Sequence, residues 1–477
     1  MSTTTSFTAP NQYRHVPTPF HPDVDAQSPE PIIQTLLSLD SSLKLYARSS
    51  PQYASLRGVY NKLVTAEPLA ICRPTTIEQV QLIVRTVSST GGKVPLGIRC
   101  GGHDVWGRGC IADSITIDMR EMDAQTLAND HESVCIGGGV TSRNLVNFLD
   151  SHGLCTANGT AGNVGWTGWA VWGGYGPLND FVGMGVDNIL SAKVVLADGT
   201  LVEAGPGSEL LWGVRGAGGT FGVIVEVTVK VYRMPTILAG FIVYKWEESM
   251  QMLLGLQELL DKGVPDALCL QMGFRKTKRG MGMSLIFTWA DTETIDEGRK
   301  WLDVMKQLAG VVVSTVSVTT FTAFQKSTTR VVDDPVNVFT RSVSIPRFTP
   351  ETIALLVNYS EAIPDTRQYT IIAHIAHGKG TRPNDASCFG TRRPHVLFHI
   401  NACDEPEHIS EAQRWTDGLM KDLVGTGQTL KPVYVSFMGK DEDPRESFGE
   451  NWDRLQALKK SVDKDNLFRF SQPGSGE

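Results

Sequence analysis

The chain has 477 residues, 41% of them hydrophobic and 20% charged, with a formal net charge of −7 at neutral pH. At roughly 150 residues per domain, this length predicts two or three domains, and the acidic balance argues against a nucleic-acid partner. The longest apolar runs, such as Val223 to Val231, are broken by residues like Glu226, Thr228 and Lys230, so no stretch approaches the roughly 20 apolar residues of a membrane span.

From Met1 to Asp25 the chain is polar, with no basic start and no apolar stretch. That is not a secretory signal, and the expectation is a cytoplasmic protein. Pro74, Thr75, Thr76, Ile77 and Glu78 predict a capped helix carried on by Val80, Ile83, Val84 and Val87. Short strands are predicted at Val94 to Arg99, Ile115 to Asp118 and Val134 to Gly137, then a helix at Ser142 to Ser151. Asp198-Gly199 predicts a hairpin between Ala192 to Ala197 and Leu201 to Ala204. Val223 to Tyr232 alternates as a strand ending before Pro235. From Thr236 to Leu430 helices (Ser249–Lys262, Thr292–Leu308, Thr349–Ile363, Ser410–Leu423) alternate with strands such as Ser284 to Trp289 and His395 to Asn401. This is an α+β pattern, with helices covering one face of an antiparallel sheet. Eight cysteines are scattered singly without a CxxC pair and are read as mostly buried thiols.

Of the 47 glycines, 28 lie between Gly91 and Gly222, a density that signals close backbone approach, often around a ligand. Three segments stand out. Pro95 to Cys110 runs from a strand through Gly101, Gly102, His103 and Gly107. Its exposed backbone N–H groups suit a pyrophosphate, with His103 placed to reach whatever the phosphates anchor. The competing reading is a tight glycine turn around an ordinary histidine. Asn158 to Pro177 holds seven glycines in 20 residues, which suits a main chain lying against a flat or phosphorylated ligand. Leu211 to Gly222 superficially resembles a dinucleotide fingerprint, but its spacing is wrong and a strand follows it where a Rossmann loop opens a helix. The same test rejects Gly378 to Thr381 as a P-loop.

Taken together, these segments and the C-terminal run from Phe448 to Arg469 resemble the vanillyl-alcohol-oxidase-type flavoproteins. Within them the chain is similar to the berberine-bridge-enzyme-like oxidases, and to their microbial branch that includes 6-hydroxy-D-nicotine oxidase. The resemblance covers Leu69 to Pro235 and resumes at the C-terminus. It implies a two-domain α+β fold: an extension at 1–39, a flavin domain at 40–235, a substrate domain at 236–430 and a return to the flavin domain at 431–477. It also implies FAD, bound covalently through His103 in the Arg-x-Gly-Gly-His pattern. Arg99, Cys100, Gly101, Gly102 and Gly107 would form the pyrophosphate loop. Gly165, Gly168, Gly174 and Gly176, followed by Asp187 and Asn188, would make the second contact. Gly222, Val223 and Ile224 would run beside the adenine, and Asn451 belongs to the closing helix. Plant-type members carry a second flavin-bonding cysteine where this chain has Ala161, so a single bond is expected. Val164 occupies the position the family associates with oxygen access, and valine there favours an oxidase over a dehydrogenase.

On the substrate side, the strand from His395 to Cys403 alternates. Val396, Phe398 and Ile400 face one way; His395, Leu397, His399, Asn401 and Cys403 face the other. By resemblance, Asn401 falls where the family places a base or anchor, but an amide is not a base. His399, His377 and Tyr434 are the alternative proton-handling groups; each is equally readable as a satisfied polar residue at an interface. His374, His377, His395 and His399 lack the accompanying spacing of a metal site. The expected partners are a small organic substrate and O2, without nucleic acid, membrane or metal. The expected reaction is oxidation of a C–H beside an amine or hydroxyl, with peroxide formed. A flavin-linked dehydrogenase, a non-redox cyclase or isomerase, and a non-catalytic flavin binder are the other readings, since fold does not fix function.

Overall fold

The computed structural model describes residues 30–278, 280–329, 334–365, 367–431, 433–439 and 441–471. The first layer is a four-stranded sheet in the order Lys44–Ala47, Ala70–Arg73, Ile115–Asp118 and Leu96–Arg99. The last three strands are parallel. The helix Ile77–Ser88 starts as its sequence dictates: the Thr76 hydroxyl accepts from the Gln79 N–H at 3.3 Å. Its Val80, Ile83, Val84 and Val87 are fully buried on this sheet, which is the i, i+3, i+4, i+7 stripe. The helix Pro31–Leu39 contributes Ile32, Ile33 and Leu36 to the same core. Most of the extension expected at 1–39 lies outside the described residues; its last helix belongs to this first unit.

A second sheet, of five antiparallel strands, runs in the order Gln125–Leu127, Ser133–Gly137, Val223–Lys230, Ile189–Val195 and Leu201–Ala204. The hairpin closes at Gly199, whose φ is +78°.

The third sheet runs in the order Val311–Ser314, Ile237–Tyr244, Gly280–Trp289, Leu268–Thr277, Gln368–Ala376, His395–Cys403 and Val338–Ile345, with Ser317–Thr319 also paired to Ile237–Tyr244. All its pairings are antiparallel. Period-two alternation sorts its side chains. Leu270, Met272, Phe274, Ile371, Ala373, Ile375, Val396, Phe398 and Ile400 share a core with Leu253, Leu256, Ile353, Leu356, Leu419 and Leu423 of the covering helices. The opposite face carries Gln271, His374, His399 and Asn401.

The tail returns to the first two sheets. Leu455 and Leu458 of the helix Trp452–Val462 join Trp212, Val214 and Phe221. Leu467 and Phe468 join the core under the first sheet. Buried Lys459 donates to the Thr220 carbonyl at 2.7 Å and pairs with Asp463 at 2.5 Å. Cys388 also packs into the core of the second sheet, so the span 236–430 is not confined to the third sheet with its helices.

Candidate active site

The strand Leu96–Arg99 feeds into a loop in which Gly102 and Gly107 adopt φ of +74° and +78°, a region that favours glycine. A Cβ on Gly101 would lie 2.4 Å from the Gly165 nitrogen and 2.7 Å from the Asn163 carbonyl oxygen. The first and second glycine segments therefore meet backbone to backbone, two residues before His103, and the Val164 carbonyl carbon would lie 3.1 Å from the same Cβ. Arg99 is a correction to the expected pyrophosphate contact. Its guanidinium donates to Asp118 at 2.8 Å and to the carbonyls of Leu56 and Arg57, so the side chain braces the loop from behind. Burial alone would raise the Asp118 pKa. The hydrogen bond from Arg120 and the charges of Arg99, Arg120 and Arg73 outweigh that and hold it well below the usual carboxylate range.

His103 stacks on Tyr60 with centroids 4.5 Å apart and planes 22° apart. The Tyr60 N–H donates to the Gly102 carbonyl at 2.9 Å, which fixes the stack to the loop. Among the described residues neither ring nitrogen of His103 has a hydrogen-bond partner. Burial pushes its pKa down to about 4, so at neutral pH the imidazole is uncharged and keeps a free lone pair.

Several predicted contacts turn out to serve the protein itself. Gly174 and Gly176 leave room for Gly185 and the Asn158 carbonyl. Asp187 is gripped by Arg392 at 2.8 and 2.9 Å and by Asn384. Asn188 donates to the carbonyls of Val182 and Met184 and accepts from Tyr232. The Asn451 amide donates to the Cys388 carbonyl at 3.2 Å. Val223 and Ile224 bury their side chains in two cores, and Gly222 abuts the Val195 carbonyl, which leaves only backbone for an adenine. Of the glycines expected at the cofactor, Gly168 alone has nothing within 4 Å of an added Cβ. Near these loops, buried Ser142, Thr167 and Thr220 hydroxyls have no partner among the described residues. Close-packed glycine loops with unanswered hydroxyls beside them fit FAD, whose phosphates and ring edge need such donors and acceptors. The run Gly137-Gly138-Gly139 was a missed signal: a Cβ at each would lie 1.8 to 2.3 Å from a carbonyl oxygen of Met122, Ile224 or Met119.

Of the proton-handling candidates, His377 is removed from the strip. Its Nε2 is 2.7 Å from the Leu268 carbonyl and 3.5 Å from Asp180, a structural assignment. Tyr434 lies among aromatics, 4.8 Å from Tyr175 and 5.2 Å from Phe437 by ring centroids; burial raises its pKa. Asn401 accepts from the Thr340 hydroxyl at 2.8 Å, which leaves its amide N–H2 to donate. His399 lies flat under Phe437, 3.6 Å between centroids at 13°, and its buried Nε2 has no partner among the described residues. Burial, with His374 beside it, pushes its pKa down to about 3.

Two further histidines have defined tautomers. Thr160 donates to Gln271 Oε1 at 3.2 Å, which turns the amide N–H2 onto His374 Nδ1 at 3.0 Å. His374 therefore carries its proton on Nε2. His395 Nδ1 is 2.7 Å from the Arg393 carbonyl, so it donates there, and Nε2 accepts from the Tyr175 hydroxyl at 2.7 Å. Among the described residues no three His, Cys, Asp or Glu side chains converge as a cation site. A cavity of about 540 Å³ lies beyond the histidine loop, lined by Asn61, Val64, Trp106, Phe339, Thr340 and Met438 among others. Arg108 at its wall is neutralised by Asp104 at 2.7 Å.

Residues 68–205 match the family described as FAD binding domain, and residues 433–473 the family described as berberine and berberine like. FAD-linked oxidoreductase aurO of Gibberella zeae is 54% identical over 461 residues, covering 96% of this chain and 91% of that protein. The solved 6-hydroxy-D-nicotine oxidase of Arthrobacter nicotinovorans superposes with a TM-score of 0.81 at 21% identity, over 90% of this chain and 97% of that one. Glucooligosaccharide oxidase of Acremonium strictum, described with a 6-S-cysteinyl, 8α-N1-histidyl FAD, has a TM-score of 0.80 at 20% identity, over 92% and 98%. With the glycine loops, the two family matches and identity above half over nearly its whole length, the chain belongs to the berberine-bridge-like FAD-linked oxidoreductases.

Proposed function

We propose that the protein is an oxidase carrying FAD on His103, which oxidises a C–H next to a hydroxyl or amine of a small, largely apolar secondary metabolite with O2 as the final acceptor. The observation that carries this reading is His103 itself: an uncharged imidazole stacked on Tyr60, with no hydrogen-bond partner among the described residues, two residues beyond the point where two glycine segments meet. An imidazole kept neutral by burial is the nucleophilic form. When bound, FAD supplies the two-electron acceptor and returns those electrons to O2 as H2O2.

The chain's own residues do the rest. The backbone around Gly101, Gly102, Gly165 and Gly168 would hold the cofactor, with Ser142, Thr167 and Thr220 as hydrogen-bond partners. On the facing sheet, the uncharged His399 takes the substrate's hydroxyl or amine proton. The free amide N–H2 of Asn401 and the Nε2–H of His374 donate to the substrate and orient it. The cavity walled by Val64, Trp106, Phe339 and Met438 reaches this strip only through Thr340, which bonds Asn401; its mainly apolar wall supports a neutral and mainly apolar substrate.

The test is peroxide release from purified protein against a panel of neutral aromatic alcohols and amines. Substrate consumed with peroxide formed in equal amount supports the oxidase. Conversion without peroxide, with O2 unconsumed, would replace it with a dehydrogenase or a non-redox cyclase.

A further inference from the structure

Arg108 stands five residues beyond His103 and ties the histidine loop to the far side of the site. Asp104 closes the turn: its Oδ1 accepts from the N–H groups of Trp106 at 3.1 Å and Arg108 at 2.9 Å, and its Oδ2 from Arg108 Nε at 2.7 Å. With Nε held, the outer edge of the guanidinium points at the tail segment. It donates to the Ser436 carbonyl at 3.0 Å and the Val435 carbonyl at 3.4 Å. Trp106 Nε1 donates to the Phe437 carbonyl at 3.2 Å. Three consecutive carbonyls of the tail are thus gripped by two side chains of the loop that presents His103.

The same tail segment is fixed from its other end. Arg341 packs 5.6 Å from the Trp106 ring centroid and pairs with Asp417 and Asp441, both at 2.7 Å. A Cβ on Gly439 would lie 2.2 Å from its Nη1. Held on both sides, the segment lays the Phe437 ring on His399, and no described hydrogen bond otherwise fixes that imidazole.

We infer that Arg108 is a positioning residue that acts through Val435 to Phe437 to seat the Phe437 ring on His399. The loop that holds the cofactor and the imidazole on the substrate face then take up their places together. Arginine suits this task because its planar fork spreads donors over three nitrogens to a carboxylate and two carbonyls; lysine offers its three donors from a single nitrogen. The functional weight of this link rests on the reading of His399 as the proton acceptor. Its physical existence does not.

The holoenzyme without substrate is sufficient for the test. Histidine-selective 15N labelling reports the His399 ring, and diethyl pyrocarbonate with peptide mass spectrometry reports its accessibility. Arg108→Met and Phe437→Leu should shift the His399 ring signals in the same direction. Each should raise carbethoxylation of His399 at least fivefold, with flavin content unchanged. Phe437→Tyr, which keeps the ring, should restore wild-type values. Should Arg108→Met fail to fold, Trp106→Phe removes a single N–H donor and should move the same signals by less. Unaltered His399 signals and reactivity in Arg108→Met or Trp106→Phe would overturn the link. Undiminished turnover in His399→Gln would sink the proton-acceptor reading alone, because the shared shift in Arg108→Met and Phe437→Leu would still stand.

Discussion

Gly101 and Gly165 touch backbone to backbone, and neither position has room for a side chain. A Cβ on Gly165 would lie 2.3 Å from Cys100 Sγ and 2.6 Å from the Gly101 nitrogen. Backbone atoms do not yield as a flexible side chain does, so Gly101→Ala must push the two glycine segments apart. Overpacking of this kind typically costs about 1–3 kcal/mol. The protein should still fold, since the sheet cores are untouched, but it should lose most of its flavin. Flavin absorbance per polypeptide beside a far-UV spectrum checks this; full flavin content in Gly101→Ala would mean that the contact is not part of the cradle.

Val164 sits in that contact, and its size should govern access of O2. Leucine adds one methylene in a packed site, where such a change is felt. Val164→Leu should slow consumption of O2 by the substrate-reduced enzyme at least tenfold, equivalent to about 1.4 kcal/mol of barrier. Anaerobic reduction by substrate should change much less. Stopped-flow traces that match wild type in air would remove the valine from any gating role.

Three histidines on the substrate strip, one buried and two largely so, should make the protein labile to acid. Burial pushes His374 and His395 to about 4 and His399 to about 3, against about 6.5 in an unfolded chain. Below the unfolded value, the unfolded state binds more protons than the folded one, so stability falls as pH falls, until the folded histidines titrate. Each contributes up to about 1.4 kcal/mol per pH unit between roughly pH 6.5 and 4. Urea midpoints should drop steeply across that window, and His399→Gln should flatten the slope by about a third. A midpoint that barely moves over the window would show that these rings are not held neutral.

Much of this was legible from residues alone, and the illegible part has a common cause. Glycine density located the meeting of the loops because only glycine permits the approach of Gly101 to Gly165. Alternation placed His399 and Asn401 on one face of their strand because the period of two admits no other arrangement. What sequence could not supply were partners distant along the chain. Arg99 reads as a phosphate ligand until Asp118 is seen behind it, and Asp187 reads as a cofactor contact until Arg392 closes on it. His377 reads as a candidate base until the Leu268 carbonyl is found 2.7 Å away. Phe437, the ring that covers His399, lies in a tail segment with no pattern to mark it.

On the proposed function, His103 carries the cofactor. The protein should be yellow, and its colour should stay with the polypeptide after acid denaturation. Peptide mass spectrometry should then find the mass of one FAD on the fragment containing His103, and His103→Ala should hold only dissociable flavin or none. Release of all FAD from the denatured wild-type chain, with an unmodified His103 peptide, would contradict it.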